Sequence, residues 1–496
     1  MIERSVLGTN PFILSVLLAL LAGTLALFPL SSYDTWWILA AGEHMLQTRE
    51  ILHSGIGSWT RSSTSYVYHG WMFAIFTALS YRILGEWGLI LLRSLLAGSC
   101  FMFLGLATRA RGARGAGVLL LPGLALLMGY TNLFWPVRAQ STSQVLLALT
   151  LLLMSLSRLE GWRRCLTLTL TTVVWANLHG GVLLGFVVLM IIVTGENIDC
   201  FRQGGGLERS KVMKDCALLA GAALGCLLTP YGVKGLFSAL RHIRGEHVAT
   251  LPLEWGTPRL ADFPLFALLL GLVGIGLLTT IFSNRMRWAD PLLFLLFAVM
   301  GLSSLRYLEI ASIGLAFVGS SCFAAALGER YFKGWRGGIG AVASVILLGS
   351  LLGIGVGRDR YLFHGGWRPG RQLPVGAVDF MARNQIFQQV FNPYEWGGYL
   401  IWRLRPANVA FIDGRVDLYS EELVRDYLWV QDANPGWKII LDRYSIQAIL
   451  WRNGQSGQAL RTELEKDGSF VPIFKDQGAI LFVRKNGRYL QLARSG

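Results

Sequence analysis

Residues 11–37 read PFILSVLLALLAGTLALFPL followed by SSYDTWW, an uncharged run that ends shortly before an aspartate among aromatic residues. The run from Pro11 to Leu30 has 20 residues, enough to cross a bilayer at about 1.5 Å per residue. It is too long for the apolar part of a secretory signal, and no small-x-small cleavage site follows it, so we interpret it as a retained span. Asp34 then lies at the membrane surface, beside Trp36 and Trp37, residues suited to the headgroup layer.

The composition predicts a polytopic membrane protein with a soluble remainder. The chain has 496 residues, of which 53% are hydrophobic and 15% charged, whereas a soluble protein carries about 25% charged residues. The net charge of +15 does not indicate nucleic-acid binding, because basic residues of membrane proteins concentrate in cytoplasmic loops. All six cysteines lie in apolar runs or the short loops between them, which excludes a disulfide framework in the C-terminal region. No Cys/His cluster has metal-site spacing.

Apolar runs predict about eleven spans. They are residues 11–30, 88–107, 115–131, 140–157, 165–178, 181–195, 215–229, 263–282, 289–305, 307–325 and 338–356. The segment Trp71–Leu84 is apolar but has only 14 residues, and Arg82 interrupts it. A segment of that length is more typical of an interfacial helix than of a span.

The distribution of basic residues sets the predicted orientation. Five loops on the side of the N-terminus carry 15 Lys and Arg residues, and the opposite loops carry nine in roughly twice the length. The N-terminus is therefore predicted inside and the C-terminus outside. The predicted domains are a membrane domain over 1–356, with the outer loop 31–87, and an extracytoplasmic domain over 357–496.

The C-terminal region predicts a small α/β domain. Short apolar runs at 389–391, 409–412, 448–451, 470–474 and 479–483 alternate with helical patterns at 420–430 and 457–466. Ser420 precedes two acidic residues and is typical of a helix cap. The stretch Asp476-Gln477-Gly478 indicates a hairpin. Nucleotide-binding glycine motifs are absent from this region.

Several outer-face side chains have the chemistry of a site. Asp34 could accept a proton from an attacking hydroxyl, hold a divalent ion, or simply cap a helix beginning near Thr35. His69 and His179 could bind phosphate or move a proton, or could be satisfied by backbone carbonyls. Glu254 lies in an outer loop that could be a mobile segment or an active-site flap.

Two arginines lie at outer span boundaries. Arg138 and Arg306 could snorkel to headgroups, and Arg306 could pair with Glu309 one turn on. Their planar guanidinium groups also suit the oxygens of a lipid phosphate. These structural and functional interpretations remain open from the residues alone.

Two dense stretches of the C-terminal region are further candidates. The first runs from Asn392 to Tyr399 and includes Trp396. The second, Phe411-Ile412-Asp413-Gly414-Arg415, indicates a buried strand running into a turn. Such a turn can bind ligands, or Asp413 and Arg415 can form a structural pair.

The layout resembles the GT-C superfamily of membrane glycosyltransferases. The resemblance rests on Asp34-Thr35-Trp36-Trp37, His69-Gly70-Trp71, Trp175 to Gly181 and Trp396 to Asp417. Members have a catalytic Asp in the first external loop and take sugars from polyprenyl-phosphate or polyprenyl-diphosphate donors. There is a fainter likeness to oligosaccharyltransferase catalytic subunits, whose Trp-Trp-Asp-Tyr-Gly motif corresponds loosely to Tyr394–Tyr399. Ile38 and Gly70 stand where many relatives have His and Glu.

The resemblance implies a sugar transferase at the outer face of a bacterial cytoplasmic membrane. In that hypothesis Asp34 is the general base or a carboxylate that orients the acceptor, and His69 assists it. The donor phosphate is bound by Arg138, His179 and Arg306, and the C-terminal domain presents an acceptor that is a glycan, a lipid or a protein. No cofactor is assigned, because the paired acidic motif of metal-dependent members is not evident near Asp34.

Two rival functions remain open. A lipid or solute transporter would carry ionisable residues near mid-membrane and internal repeats, and here Arg93 is the main such charge and no inverted repeat is evident. An inactive member acting as an assembly or binding protein is the other. Nucleic acid is not an expected partner.

Overall fold

A computed structural model describes most of the chain. The described residues are 11–28, 30, 32–114, 118–132, 136–206, 208–243, 256–334, 373–454 and 457–493. Their contacts divide the chain into two compact units. The helical unit comprises Met1–Pro29, Glu86–Ala239 and Pro252–Tyr361, and the mixed unit comprises Leu30–Gly85, Leu240–Leu251 and Leu362–Gly496.

Thirteen α-helices are described before the C-terminal region. They are α1 (Pro11–Leu25), α2 (Asp34–Thr48), α3 (Trp71–Leu84), α4 (Glu86–Ala110), α5 (Leu120–Asn132), α6 (Gln140–Ser155), α7 (Gly161–Leu178), α8 (Val182–Arg202), α9 (Arg209–Leu227), α10 (Gly232–Ile243), α11 (Pro264–Phe282), α12 (Ala289–Ser303) and α13 (Leu308–Gly334). Single 3-10 turns lie at Leu260–Asp262 and Leu305–Tyr307.

Helices occupy the first ten predicted spans. Among the described residues, four segments are long and apolar enough to cross a membrane: Glu86–Ala110, Val182–Arg202, Pro264–Phe282 and Leu305–Ala326. The pair Arg209–Leu227 and Gly232–Arg241 would make a fifth, bent by 91° at its break. The other apolar helices are shorter, and the predicted span 338–356 lies outside the described residues. The count of eleven spans therefore stays a prediction.

Helix α1 ends at Leu25, five residues before the apolar run ends at Leu30. Arg93 binds the carbonyl groups that follow the end of this helix. Arg93 is 1% exposed on α4, and its Nε donates to the Ala26 carbonyl at 2.9 Å. Its Nη2 donates to the Phe28 carbonyl, and the guanidinium lies 3.7 Å from the centre of the Phe28 ring. A buried cation needs such acceptors, and the carbonyls at a helix end lack partners within the helix. The Arg93 guanidinium therefore holds the segment from Ala26 to Phe28, which follows α1.

The mixed unit contains the remaining elements. They are α14 (Val375–Arg383), β1 (Val390–Phe391), α15 (Tyr394–Arg403), α16 (Glu421–Gln431), α17 (Trp437–Arg443), β2 (Ala448–Arg452), α18 (Gln458–Asp467), β3 (Phe470–Lys475) and β4 (Ala479–Arg484). The sheet has the order β1-β2-β4-β3, with β1 parallel to β2 and the other pairs antiparallel. A small mixed sheet at the C-terminus follows the predicted pattern.

Local chemistry explains why several of these predictions hold. The Ser420 hydroxyl accepts from the Leu423 amide at 3.4 Å, which confirms the cap of α16. Asp476 Oδ1 accepts from the amides of Gly478 and Ala479 at 2.8 and 2.7 Å, which closes the hairpin of β3 and β4. An aspartate that bonds the backbone two residues on favours such a turn.

The predicted strand at 409–412 is wrong, because the backbone groups of this segment form hydrogen bonds with the loop between α2 and α3 instead of with a neighbouring strand. The amides of Val409 and Ala410 donate to the Gly57 carbonyl at 2.9 and 3.0 Å. Ala410 forms an isolated parallel bridge with Ser58, outside the sheet. The Trp59 amide donates to the Ala410 carbonyl at 3.1 Å, and the Thr60 hydroxyl donates to the Phe411 carbonyl at 2.7 Å. Loop and C-terminal region thus fold together.

The segment Trp71–Leu84 is a helix, as predicted, and it packs on α2. A β-carbon at Gly42 would lie 2.0 Å from the Ala74 carbonyl oxygen, so only glycine permits this approach. Arg82 donates from Nε and Nη2 to the Glu43 carboxylate at 2.7–3.1 Å. These contacts fix α2, and with it Asp34. The interfacial position of α3 remains a prediction.

Candidate functional site

Asp34 is the first residue of α2, and its carboxylate is held from its own helix. Trp37 Nε1 lies one turn on and donates to Asp34 Oδ1 at 3.1 Å. The amino end of a helix favours a negative charge, because its amides point along the axis without helical partners. Asp34 is half-buried, so its carboxylate has a defined position and keeps some access.

The Asp413-Gly414-Arg415 stretch reaches the same carboxylate. A β-carbon at Gly414 would lie 2.0 Å from Asp34 Oδ1 and 3.2 Å from Trp37 Nε1. No side chain can be added there without displacing one of these groups. The glycine therefore lets the backbone of the C-terminal region lie directly against Asp34.

A buried ion pair fixes the backbone on both sides of Gly414. Arg415 donates from Nε and Nη2 to the two oxygens of Asp413 at 2.8 and 2.7 Å, and the pair is 1% and 0% exposed. The Arg415 amide and the Tyr419 hydroxyl also donate to Asp413. Arg415 Nη2 donates further to the Ile56 carbonyl at 2.8 Å. Such a satisfied pair has a structural role, the second of the two interpretations open from the sequence.

The predicted acceptor residues Trp396 and Tyr399 lie in the core of the mixed unit. They are 5% and 4% exposed on α15. Tyr399 meets Trp36 edge-on, with ring centres 5.5 Å apart. Trp36 is thus a core residue of this unit rather than an exposed aromatic. A β-carbon at Gly397 would lie 2.1 Å from the Ile412 carbonyl oxygen, so this glycine allows α15 to pack on the backbone that carries Asp413.

Aromatic residues line the surroundings of Asp34. Trp37 lies 5.1 Å from Tyr68 and Tyr68 6.1 Å from Tyr66, measured between ring centres. Arg415 lies 5.8 Å from the Trp37 ring and 5.9 Å from that of Tyr66. Burial raises the pKa of Tyr66 well above its ordinary value, so this phenol stays neutral. The ring that donates to Asp34 is therefore the first of three aromatic rings packed in series.

His69 follows Tyr68 and is neutral at physiological pH. Burial lowers its pKa from 6.5 to about 4, because the imidazolium loses hydration there. Its Nε2 is buried and has no hydrogen-bond partner within the described part of the chain. Asp34 and His69 are linked indirectly: Trp37 donates to Asp34 and packs on Tyr68, which precedes His69 in the chain. Neutral His69 can exchange hydrogen bonds with a ligand but cannot supply positive charge.

A second cluster forms in the helical unit, where Arg138, His179 and Arg306 meet around the first turn of α6. The Arg138 carbonyl accepts from the Ser141 amide at 3.1 Å. Gln140 Nε2 donates to the Arg306 carbonyl at 3.2 Å. The Ser143 hydroxyl, one turn further on the same face, lies 2.7 Å from His179 Nδ1. The structure thus places these three predicted residues at one turn of α6, Arg138 and Arg306 through their backbone and His179 through its ring.

A hydrogen-bond relay determines the tautomer of His179. Trp175 Nε1 can only donate, and it donates to the Ser143 hydroxyl at 2.7 Å. That leaves the Ser143 hydrogen for His179 Nδ1, which also accepts from the Gly181 amide at 3.1 Å. Assigned from this network, Nδ1 is the acceptor and Nε2 carries the hydrogen. His179 is therefore a hydrogen-bond donor at Nε2 and suits a phosphate oxygen better than a proton relay.

Gln144 and Glu309 join this cluster, and sequence reasoning did not select either as a site residue. Gln144 Nε2 donates to Glu309 Oε2 at 2.5 Å, and both side chains are buried. Arg138 interacts electrostatically with Glu309, so Glu309 is tied to Gln144 and Arg138. The available signal was a carboxylate and an amide inside two predicted apolar spans.

The last two predictions concern Glu254 and a metal site. Glu254 lies outside the described residues. Within the described ranges, no group of three or more His, Cys, Asp or Glu side chains is arranged to hold a metal ion.

Comparisons with known proteins give matches among solved structures. The chain is similar to the oligosaccharyltransferase of Archaeoglobus fulgidus in its apo form, with a TM-score of 0.60 and 10% identity over 90% of this chain and 70% of that one. The same enzyme tethered through a disulfide to an acceptor peptide containing the NVT sequon gives 0.60 and 10% over 97% and 74%. ArnT from Cupriavidus metallidurans bound to undecaprenyl phosphate gives 0.49 and 13% over 95% and 97%.

No protein-family model matches the chain, and no curated protein matches it either. The likeness to the archaeal enzyme therefore exists in the fold rather than in the sequence.

Proposed function

We propose, from the premise that this chain has the GT-C fold of the archaeal oligosaccharyltransferase, that it transfers a sugar from a polyprenyl-phosphate donor to an acceptor. One observation carries the proposal. The Asp34 carboxylate accepts a hydrogen bond from Trp37, and the backbone at Gly414 lies directly against it, so two separate parts of the sequence surround the proposed base.

In this reaction the nucleophilic atom of the acceptor attacks the anomeric carbon of the sugar. The new glycosidic bond forms as the bond from that carbon to the phosphate oxygen breaks. Asp34 takes the proton from the acceptor, and the phosphate leaves with the electron pair. Positioned bases of this kind contribute about 100-fold to 10,000-fold to a rate.

The cluster at α6 supplies the groups that a leaving phosphate needs. Arg138 and Arg306 provide positive charge, and His179 provides a neutral donor at Nε2. Guanidinium groups pair well with phosphate oxygens, and charge stabilisation of the leaving group lowers the barrier. His69, which is neutral, would bind the sugar or the acceptor rather than the phosphate.

The remaining candidates receive different roles. Because Asp413 and Arg415 are buried against each other, we assign them to positioning Gly414 and through it Asp34. Trp396 and Tyr399 support α15 from the core. The acceptor class stays open among glycans, lipids and proteins. From the charge bias of the loops, both Asp34 and the C-terminal region are on the extracytoplasmic side of a bacterial cytoplasmic membrane.

The test measures bond cleavage. Purified full-length protein is incubated with undecaprenyl phosphate bearing a labelled sugar and with a cell-envelope extract as acceptor, and released undecaprenyl phosphate is quantified. The proposal expects release by the wild type and at most about 1% of that rate for Asp34→Asn. Asp442→Asn, which removes an exposed carboxylate paired with Arg484, is the matched control.

The rival functions give other results. A transporter moves the labelled lipid across a vesicle without cleaving it. A binding partner retains the lipid with neither movement nor cleavage. Either result would replace the transferase proposal.

A further inference from the structure

Gln144 and Glu309 leave two acceptor oxygens unused in the helical unit. Gln144 is 2% exposed and Glu309 is 8% exposed. Gln144 Oε1 and Glu309 Oε1 are both buried, and neither has a hydrogen-bond partner among the described residues. The amide nitrogen of Gln144 donates to the other carboxylate oxygen at 2.5 Å, so the two unused oxygens belong to side chains that contact each other.

The orientation of this pair follows from its chemistry. With Glu309 ionised, a turned-over Gln144 amide would place two acceptors against each other, so the amide nitrogen faces Glu309 Oε2. Leaving a buried acceptor unsatisfied costs about 1–3 kcal/mol. Two contacting side chains that each leave such an atom are therefore suited to a ligand that brings hydrogen-bond donors.

The neighbouring side chains restrict which ligand fits. Arg138 interacts with Glu309, and the Arg138, Arg306 and His179 cluster begins one turn away on α6. A ligand with an anionic group at the arginines and hydroxyl donors at Gln144 and Glu309 satisfies both sets. A sugar attached to a phosphate has this arrangement.

We propose that Gln144 and Glu309 recognise the sugar of the donor lipid by accepting hydrogen bonds from its hydroxyl groups. This rests on the proposed function, because it takes Arg138, Arg306 and His179 to bind the phosphate. The pair then selects the donor. A ligand without hydroxyl groups at these positions would leave the buried acceptors unpaired and would bind more weakly.

The test compares bare and sugar-bearing lipids on the full-length protein. Binding of undecaprenyl phosphate is measured by native mass spectrometry against the same lipid carrying glucose, mannose or N-acetylglucosamine. We expect the wild type to bind at least one sugar-bearing lipid about 10-fold more tightly than the bare lipid, corresponding to one well-made buried hydrogen bond.

Two variants then change the acceptors while preserving side-chain size: Glu309→Gln replaces one carboxylate oxygen by an NH2 donor, and Gln144→Met removes the amide oxygen. Each should reduce the ratio of sugar-bearing to bare-lipid affinity by about fivefold or more. Thr150→Val is the control, because its buried hydroxyl lies on α6 but is bonded to the Leu146 carbonyl. It should keep both affinities.

Each contrary result has a distinct meaning. A wild type that binds sugar-bearing and bare lipids equally overturns this inference and leaves the phosphate site standing. Equal weakening of both lipids in the variants also overturns it, since Gln144 and Glu309 would then only support Arg138. A wild type that binds neither lipid overturns the proposed function as well. The wild-type comparison needs no variant, so a variant that fails to fold does not remove the test.

Discussion

The two clusters differ in what fixes their side chains. Around Asp34, backbone and glycine set the geometry, and the Asp413–Arg415 pair beside it has its hydrogen bonds satisfied within the protein. Around the first turn of α6, side chains set the geometry, and two buried oxygens have no partner among the described residues. The first arrangement is suited to holding a catalytic group still. The second is suited to receiving a ligand.

The largest effect should come from breaking the ion pair behind Asp34. Arg415→Met leaves the Asp413 carboxylate buried without its main partner, and losing one member of such a pair costs about 3–5 kcal/mol. The control is Arg403→Met, whose pair with Asp379 is 40% and 43% exposed and is therefore worth at most about 1 kcal/mol. Thermal unfolding of the full chain, followed by tryptophan fluorescence, compares the two. Equal destabilisation would contradict the role given to Arg415.

Gly414→Ala tests whether the backbone positions Asp34. The new β-carbon would lie 2.0 Å from Asp34 Oδ1, so the carboxylate must move by an ångström or more. A misplacement of about 1 Å can reduce a rate by about 100-fold. Gly454→Ala is the control, because a β-carbon there meets nothing within 4 Å. Full turnover in Gly414→Ala, with the protein folded, would separate the C-terminal region from the chemistry.

His69 should make stability depend on pH. Its folded pKa, about 4, is below its ordinary 6.5 because of burial, so the folded state binds the proton more weakly than the unfolded chain. Stability is then fully present above pH 6.5 and is lost as the pH falls toward 4, by about 2 kcal/mol between pH 7 and pH 5. Unfolding at both pH values in the wild type and in His69→Gln measures this. An equal pH dependence in the two proteins would contradict a buried, neutral His69.

The fold was largely predictable from the sequence, because apolar runs and caps act locally. The helices of the first ten spans, the Ser420 cap and the Asp476 turn each depend on nearby residues. The prediction of a strand at 409–412 failed because this segment bonds to Gly57, which is distant in sequence. A local sequence pattern cannot indicate such a partner.

The candidate site residues could be chosen from the sequence, but their arrangement could not. Asp34, His179 and the two arginines were visible as polar groups at the ends of apolar runs. The roles of Gly414 and Gly397 were not, because a glycine in a sequence does not indicate what approaches it. Gln144 and Glu309 were visible as polar residues in apolar spans, but their contact joins α6 to α13. Arg138, Arg306 and His179 share a location only because the first turn of α6 contacts all three.

The most direct test of the central claim measures donor binding and turnover together in Asp34→Asn. If Asp34 is the base of a sugar transfer, undecaprenyl phosphate bearing a sugar should bind within about twofold of the wild-type affinity while release of undecaprenyl phosphate falls by about 100-fold or more. Turnover that persists in Asp34→Asn would contradict the account. So would a loss of turnover that follows entirely from lost binding.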